Sequence, residues 1–428
     1  MSFSSFGFHT DLLAVIHSLG YTQPTPIQQA SIPEILAGHD VLAGAQTGTG
    51  KTAAFALPLI QRQMERNVDN GTKCNNEGNA TGKKVRVLVL TPTRELAHQV
   101  HQSFVNYSQK SDVTSVVAYG GASINVQISS LNAGCDVLIA TPGRLLDIVS
   151  RELLDLSTIE TLVLDEADRM LDMGFITDIR RILKQLPENR QTLFFSATFN
   201  DDVFALSKTI LKQPKRIEVA PRNAAATSLE QLFYEVDKQR KAALVAYMIG
   251  SKNWQQILIF TRTKQAADEL AKELKKDGIS TAAVHGDKSQ GARERGLDDF
   301  KTGRVRALVA TDVAARGLDI QQLQYVINLE LPYNAEDYIH RIGRTGRAGQ
   351  TGLAVSLVSA KEKYLLKDIE KITKEQFSTQ WMPGFEPNLL NQNEGTSSKR
   401  KQSKKALRAK ALGQGNKNKS KASKGSRR

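Results

Sequence analysis

The strongest indication of the fold is the stretch Val41-Leu42-Ala43-Gly44, followed directly by Ala45-Gln46-Thr47-Gly48-Thr49-Gly50-Lys51-Thr52. A short apolar strand, a turn containing two glycines and a helix predicted from about Ala53 form a junction at which phosphates bind. The glycines allow backbone N–H groups to converge on phosphate oxygens, and the helix N-terminus adds positive potential. In this pattern Lys51 reaches the β and γ phosphates of a nucleotide, and Thr52 is a candidate ligand of Mg²⁺.

A second stretch, Leu162-Val163-Leu164-Asp165-Glu166-Ala167-Asp168, supports the same chemistry. The general phosphate-loop pattern has glycine where Ala45 stands, so the first stretch alone leaves open a glycine-rich turn without a ligand. Here two acids end an apolar strand. Asp165 is predicted to hold the metal ion, and Glu166 to orient or deprotonate an attacking water. Together the two stretches predict an NTPase.

Outward from these stretches, short apolar runs alternate with helical patterns, which predicts parallel sheets covered by helices. The first series of predicted strands comprises 41–43, 85–90, 114–118, 137–140, 162–164 and 192–195. The second series comprises 257–260, 282–284, 307–310, 326–329 and 354–358. The two series predict an α/β fold with two sheets in tandem.

A small, polar run between the two series, Pro221-Arg222-Asn223-Ala224-Ala225-Ala226-Thr227-Ser228, is the predicted linker, and it follows an apparent strand over 216–219. A second polar run over 67–84 is predicted to be a mobile surface loop. The expected division of the chain is a first domain over 1–220, a linker over 221–228, a second domain over 229–375, and an extension with a disordered basic tail over 376–428.

The composition excludes several classes of protein. The 428 residues, of which 40% are apolar and 24% charged, exceed the size of a single small module and are too apolar for global disorder. The longest apolar runs are far shorter than the roughly 18 residues that a membrane span needs, so no membrane association is expected. Cys74 and Cys135 lack metal-ligand spacing, and so few cysteines indicate a reducing compartment, which predicts a cytoplasmic location.

Positive charge is concentrated at one end of the chain. The formal net charge is +14, and the segment 399–428 contains 13 Lys or Arg and no acid. A cluster of this kind is typical of a tail that binds a polyanion such as nucleic acid, and the alternative is a tail that only improves solubility.

From Phe3 to about Val358 the chain resembles a DEAD-box RNA helicase of superfamily 2, a resemblance first evident at Asp165-Glu166-Ala167-Asp168. The other matching motifs are 20–28 (GYTQPTPIQ), 92–97 (PTRELA), Gly120-Gly121, 141–144 (TPGR), 196–198 (SAT), 259–262 (IFTR), Gln290 with Arg293, 310–319 (ATDVAARGLD) and 340–347 (HRIGRTGR). The body and the short basic extension look most like the bacterial RhlE-like branch. The resemblance implies two RecA-like domains, and the family pattern itself has alanine at the position of Ala45.

The resemblance also implies ATP and Mg²⁺ as cofactors. The implied nucleotide-binding residues are Phe3, Tyr21, Gln23, Gln28, Ala45, Gln46, Thr47, Gly48, Thr49, Gly50, Lys51, Thr52 and Asp319. Among them, Tyr21 is expected to stack on the base, Gln23 to pair with the adenine edge, and Asp319 to accept from the ribose hydroxyl. Thr52 and Asp165 are the expected metal ligands.

The implied catalytic residues are Lys51, Asp165, Glu166, His340, Arg344 and Arg347. Arg344 and Arg347 are cast as arginine fingers that reach the γ phosphate when two domains close, and His340 as a bridge toward the coupling residues Ser196, Ala197 and Thr198. For Arg341, Arg344 and Arg347 the alternative is a basic loop that contacts RNA phosphates.

RNA is the expected partner, together with ribosome-assembly or RNA-decay proteins. The candidate RNA-binding residues are Thr93, Arg94, Gly121, Thr141, Arg144, Arg262, Gln290, Arg293 and Thr311. Backbone N–H groups, hydroxyls and arginines suit phosphates and sugars, so binding is expected to be largely independent of base sequence. The sequence therefore predicts an ATP-dependent RNA helicase that unwinds short duplexes. The alternatives are a non-processive RNA clamp or annealing chaperone, and a DNA helicase of the same superfamily.

Overall fold

The computed structural model describes residues 2–44, 49–71, 84–199, 201–218, 229–315, 323–346 and 351–388. These residues form two compact units, one up to residue 218 and one from residue 229. The predicted linker over 221–228, the basic tail from 399 and most of the polar loop over 67–84 lie outside the described residues. The site residues Ala45, Gln46, Thr47, Gly48, Asp319 and Arg347 also lie outside them.

The first unit contains a parallel sheet of seven strands in the order β3-β4-β2-β5-β6-β1-β7. The strands are β1 Val41–Gly44, β2 Val87–Leu90, β3 Ser115–Ala118, β4 Val137–Ala140, β5 Thr161–Leu164, β6 Gln191–Ser196 and β7 Lys215–Glu218. The strands β2, β4 and β5 are buried along their whole length and almost entirely apolar, because helices cover both faces of a parallel sheet. The register pairs Gly44 with Ser196, so β1 and β6 end side by side.

Nine helices of the described chain surround this sheet. They are α1 Thr10–Ser18, α2 Pro26–Leu36, α3 Lys51–Gly71, α4 Arg94–Tyr107, α5 Ile124–Asn132, α6 Pro142–Ser150, α7 Ala167–Asp172, α8 Ile176–Leu183 and α9 Asp201–Ile210. Side chains of β5 alternate between two cores. Val163 packs in the core that contains α1 to α4, whereas Leu162 and Leu164 pack in the opposite one. Each such buried side chain contributes roughly 1.5–3 kcal/mol.

The second unit repeats this architecture, with strand order β10-β11-β9-β12-β13-β8-β14 and all pairs parallel. The strands are β8 Leu229–Glu235, β9 Ile257–Thr261, β10 Thr281–Val284, β11 Ala307–Thr311, β12 Tyr325–Asn328, β13 Gly352–Val358 and β14 Thr379–Gln380. The helices are α10 Lys241–Ser251, α11 Lys264–Lys276, α12 Gln290–Lys301, α13 Asp312–Ala315, α14 Ala335–Ile342 and α15 Lys363–Thr373.

The predicted fold class is confirmed, because every predicted apolar run lies in a strand of one of two parallel sheets. Two strands of the second sheet were missed. In β8 the sequence LEQLFYE mixes polar and apolar residues, and β14 has only two residues. β14 pairs with β8, and Met382 and Phe385 pack against the core of the second unit. The part of the predicted extension from 376 to 388 is therefore attached to the second sheet.

Candidate functional site

The first group of candidate residues lies where three strands of the first sheet end. β1 ends at Gly44, immediately before the glycine-rich loop, and α3 begins at Lys51, two residues earlier than predicted. β5 leads into Asp165, and β6 ends at Ser196. Because these strands are parallel and adjacent, the three turns share one edge of the sheet, where open α/β folds bind ligands.

Two groups of opposite charge at this edge are buried, and each has a polar atom without a hydrogen-bond partner in the described part of the chain. The side chain of Lys51 is only 6% exposed and its Nζ is unpartnered, and Asp165 is 2% exposed with an unpartnered Oδ1. Burial raises the pKa of Asp165 to about 6, although the nearby charge of Lys51 opposes the shift. Unpaired buried charge is costly, so the two groups fit a site that is completed by a charged ligand.

The same donor set fits Mg²⁺. Thr52 is the second residue of α3 and has a hydroxyl oxygen, and the buried Asp165 at the same edge of the sheet has two carboxylate oxygens. Oxygen ligands from a hydroxyl and one or two carboxylates, combined with nucleotide phosphates, are the environment that Mg²⁺ prefers.

Glu166 occupies a left-handed turn between β5 and α7, with φ 54° and ψ 51°. A left-handed conformation of a residue other than glycine costs of order 1 kcal/mol or more, and such residues cluster at functional sites. Glu166 is 7% exposed. The turn places two acids in succession at the end of a buried strand, which suits one for metal binding and the other for proton transfer.

The acidic turn is bonded to the turn that follows β6. The Thr198 hydroxyl donates to Oδ2 of Asp168 at 3.1 Å, and the Ser196 hydroxyl donates to the Thr198 carbonyl at 2.6 Å. Ala197 lies between these two residues. A displacement of the acidic turn must therefore disturb the Ser196 to Thr198 turn, which fits the predicted coupling role.

Gln28 supports the glycine-rich loop from α2. Its Nε2 donates to the carbonyl of Gly50 at 3.1 Å, and its Oε1 accepts from the backbone N–H of Thr25 at 2.9 Å. Gly50 has φ +92°, and a Cβ there would lie 2.4 Å from Nε2 of Gln28. Only glycine fits this position. Gln23, predicted to read adenine, is exposed on the segment before α2.

Aromatic residues adjoin this region. The ring of Phe3 stacks against Tyr21 with 6.5 Å between centroids, and the Tyr21 hydroxyl lies 3.3 Å from that of Tyr107. Phe3 is buried, whereas Tyr21 is 38% exposed. The packing of Phe3 therefore orients an exposed aromatic ring that is available to a base.

The predicted RNA-binding residues of the first unit lie at the starts of α4 and α6 and in the glycine turn after β3. Thr93 caps α4 by accepting from Leu96 N–H at 3.2 Å. The guanidinium of Arg94 lies against Gly121, where a Cβ would be 2.1 Å from Nη1. Gly121 has φ +82°, so this position needs glycine for both reasons.

Arg144 and Thr141 complete this group. Arg144 donates to Oε1 of Gln127 at 2.7 Å and to the carbonyl of Ala122 at 3.0 Å, which connects α6 to α5 and to the glycine turn. Thr141 is the buried N-cap residue of α6. The structure thus brings the first-unit candidates together along the same edge of the sheet.

The second-unit candidates lie at strand ends and helix starts. Arg262 follows β9, Thr311 ends β11, and α12 begins with Gln290 and contains Arg293. His340 is in the last turn of α14. Arg344, just after this helix, is half-buried.

The guanidinium of Arg341 is bonded to other residues inside the second unit. It is 1% exposed, its Nε and Nη2 donate to the two carboxylate oxygens of Asp312 at 2.5 and 2.7 Å, and Nη1 donates to Oδ1 of Asn328 and to the carbonyl of Glu330. The alternative of an RNA phosphate contact is therefore wrong for Arg341, because its donors are committed inside the second unit.

Sequence reasoning missed three charged residues, Lys241, Glu330 and Glu362. They form a buried network with Arg262, with side chains between 4% and 15% exposed. Burial alone would raise the pKa of Glu330, but the charge of Arg262 holds it below its ordinary value. The available signal was an acid two residues after β12 and an arginine directly after β9, since these strands are neighbours.

Comparison with known proteins gives consistent matches over most of the chain. Residues 25–206 match the family model of the DEAD/DEAH box helicases, and residues 239–349 match that of the helicase conserved C-terminal domain. The ATP-dependent RNA helicase DeaD of Buchnera aphidicola is 42% identical over 372 residues, covering 87% of this chain and 59% of that protein. The ATP-dependent RNA helicase CshA of Listeria monocytogenes is 40% identical over 390 residues, covering 91% of this chain and 72% of that protein.

Among solved structures, S. cerevisiae Dbp5 bound to RNA and ADP BeF3 matches with a TM-score of 0.76 and 30% identity, over 96% of this chain and 99% of that one. These relatives do not test the RhlE-like assignment, which stays a prediction. In the described part of the chain, no helix has the length and apolar character required to cross a membrane.

We expect Gln28→Ala to raise the KM for ATP about tenfold, because it removes two hydrogen bonds next to the glycine-rich loop, including the side-chain donor to the Gly50 carbonyl. Gln23→Ala removes the same type of side chain at an exposed position, and the KM of this variant for ATP reports whether Gln23 contacts the base. Steady-state ATPase measurements with ATP and GTP decide both points. An unchanged KM in Gln28→Ala would contradict the supporting role.

Replacing Arg341 by Met should lower the free energy of unfolding of the second unit by about 3 kcal/mol, because Asp312 loses its buried partner. Arg304→Met is the matched control, since Arg304 is exposed and pairs with Asp299 at 3.0 Å. It should cost less than about 1 kcal/mol. Urea denaturation measures both values, and equal losses would show that the buried pair contributes no more to the free energy of unfolding than the exposed pair.

Proposed function

Because the chain belongs to the DEAD/DEAH box helicase family, we propose that it is an ATP-dependent RNA helicase, an RNA-stimulated ATPase that unwinds short RNA duplexes. The observation that carries this proposal is the burial of two opposite charges where the strands end, with Nζ of Lys51 and Oδ1 of Asp165 unpartnered among the described residues. A helicase needs such a site, since ATP hydrolysis supplies the free energy of strand separation. The names of the curated relatives and the RNA and ADP BeF3 bound to Dbp5 support the same function.

In the proposed ATPase step, Lys51 donates to the β and γ phosphates, and Gln28 keeps Gly50 in the conformation that lets the loop approach them. Thr52 and Asp165 would hold Mg²⁺, whose charge stabilises the phosphate oxygens in the transition state. Glu166 accepts a proton from water as the water oxygen bonds to the γ phosphorus. The bond from that phosphorus to the bridging oxygen breaks, which releases ADP and phosphate.

Residues of the second unit are proposed to complete the chemistry in the state with both ATP and RNA bound. Arg344 and Arg347 would neutralise charge that develops on the γ phosphate, and His340 would act with the turn from Ser196 to Thr198. Asp319 is proposed to bind the ribose. For Arg344, its place next to the buried Arg341 supports the assignment, because α14 is rigidly anchored there.

We propose that RNA is bound mainly through its backbone. The first-unit candidates Thr93, Arg94, Gly121, Thr141 and Arg144 provide arginine donors, hydroxyls and a glycine turn at one edge of the sheet, which suits phosphates and sugars. We further infer that the protein acts in the cytoplasm with ribosome-assembly or RNA-decay proteins, since both processes rearrange short RNA duplexes. Crosslinking to RNA in cells, followed by sequencing, would identify the substrates.

Glu166→Gln should lower kcat by about 10²- to 10⁴-fold while ATP and RNA still bind, because the amide keeps the size of the side chain but cannot accept the proton. Glu152→Gln is the matched control, since Glu152 is another left-handed glutamate of the first unit, but exposed. Stopped-flow ATP binding and steady-state turnover separate the two effects. Near-normal turnover in Glu166→Gln would refute its role as the base.

Removal of residues 399–428 should weaken RNA binding and flatten its salt dependence, because each phosphate contact on a single strand contributes about 0.7 to the slope of log affinity against log salt. A tail that contacts four phosphates would change the slope by about 3. A tail of equal length with Gln at its basic positions is the control for excluded volume. Superimposable salt titrations would eliminate RNA anchoring, and kcat at saturating RNA should stay unchanged.

A further inference from the structure

The buried ionic network of the second unit is defined by Lys241, Arg262, Glu330 and Glu362. Lys241 begins α10, Arg262 follows β9, Glu330 follows β12, and Glu362 ends the short 3₁₀ helix Ala360–Glu362 after β13. The four side chains are 4%, 15%, 13% and 4% exposed. Three strand ends and one helix start therefore meet through charged groups that are almost entirely out of solvent.

Glu362 makes the most contacts in this network. Its Oε2 accepts from Nζ of Lys241 at 2.5 Å and from the N–H and hydroxyl of Ser359 at 3.0 and 2.6 Å. Its Oε1 accepts from the N–H of Leu331 at 3.3 Å and lies 3.0 Å from Nη2 of Arg262. One carboxylate thus bonds to the chain after β13 and to the chain after β12, and holds the guanidinium between them.

Lys241 anchors this carboxylate. Besides Glu362, its Nζ donates to the carbonyls of Leu329 and Leu357 at 2.8 Å each. The three donors of the ammonium group are therefore all used, and two of them bind the ends of β12 and β13. Glu362 cannot move relative to these strands without leaving a buried ammonium group unpaired.

Arg262 is held on its other sides as well. Glu330 accepts from Nη2 at 3.1 Å and from the backbone N–H of Arg262 at 3.0 Å, and the ring of Tyr333 lies 4.7 Å from the guanidinium carbon. Two carboxylates, one aromatic face and one backbone bond define a single orientation for this guanidinium.

Stability alone does not explain the arrangement. Burying four charges carries a large desolvation penalty, and apolar side chains of similar volume often stabilise a fold equally well or better. What the network does achieve is a fixed orientation of the Arg262 guanidinium. Arg262 is the member with the highest exposed fraction, and it lies at the end of a central strand.

We propose that Glu362 is a positioning residue for RNA binding: it fixes the guanidinium of Arg262 at the carboxyl edge of the second sheet so that the donors not used by the carboxylates meet an RNA phosphate or sugar. The proposal rests on the proposed helicase function. Glu362 lies beyond residue 349, where the match to the C-terminal helicase domain ends, and outside every motif of the sequence analysis.

The test measures affinity for a fluorescent single-stranded RNA in the presence of a non-hydrolysable ATP analogue. The principal variant combines Lys241→Met with Glu362→Gln, which removes one buried charge of each sign and leaves Arg262 paired with Glu330. We expect RNA affinity to fall about fivefold to tenfold. Arg262→Ala should produce a similar loss, and the triple variant should lose no more than Arg262→Ala alone, because Glu362 acts through Arg262.

Glu235→Gln is the matched control. Glu235 pairs with Lys363, the residue after Glu362, at 3.0 Å, so this variant removes the same charge from the same region without contact to Arg262. Its RNA affinity should equal that of the unmodified protein. Urea denaturation confirms that each variant is folded, and the single variant Glu362→Gln, which keeps an acceptor for its neighbours, replaces the double one if that variant unfolds.

Wild-type RNA affinity in the folded Glu362 variants would overturn the proposal, and so would losses that multiply with that of Arg262→Ala, since these would indicate an independent, structural effect. The failure of the helicase assignment is a separate result. In that case the unmodified protein would show no RNA-stimulated ATPase activity, whereas failure of the positioning role alone leaves that activity intact in the unmodified protein and in the folded Glu362 variants.

Discussion

All strands of each sheet run in the same direction, and this constraint determines where chemistry can occur. Parallel strands need a crossover connection, so every strand ends at the same edge and the chain that follows a strand starts from that edge. In the first unit the register that pairs Gly44 with Ser196 places the end of β1, before the glycine-rich loop, beside the start of the turn from Ser196 to Thr198. In the second unit the pairing of β9 with β12 places Arg262 beside Glu330.

The two units differ in whether the buried charges at the carboxyl edge of the sheet have partners. In the first, Nζ of Lys51 and Oδ1 of Asp165 have no hydrogen-bond partner among the described residues, and a charged ligand would offset the cost of burying them. In the second, Arg341 pairs with Asp312, and Lys241 and Arg262 pair with Glu362 and Glu330. The first edge is therefore suited to nucleotide binding, and the second to holding arginines in defined orientations.

Most of the fold and part of the site could be predicted from sequence, because they depend on local patterns of apolar, glycine and acidic residues. Short apolar runs identify strands that are buried on both faces, and glycines and acids directly after such runs identify the edge where ligands bind. β8 was missed because a strand near the border of a sheet carries polar residues on its less covered face. Gln28 was predicted among the nucleotide-binding residues, but its bond to Gly50 depends on how α2 packs against α3, which no local pattern encodes.

Several features could be predicted from the sequence alone: the two parallel sheets, the glycine-rich loop with Lys51, the acidic turn with Asp165 and Glu166, and the family. These features depend on local residue type and spacing. The partners of each arginine can be identified only in the tertiary structure, because they lie far away in the chain. Arg341 pairs with Asp312, and Arg262 pairs with both Glu330 and Glu362. An arginine in a motif looks the same in sequence whether its charge is compensated or not, since compensation requires three-dimensional proximity of residues from separate strands and helices.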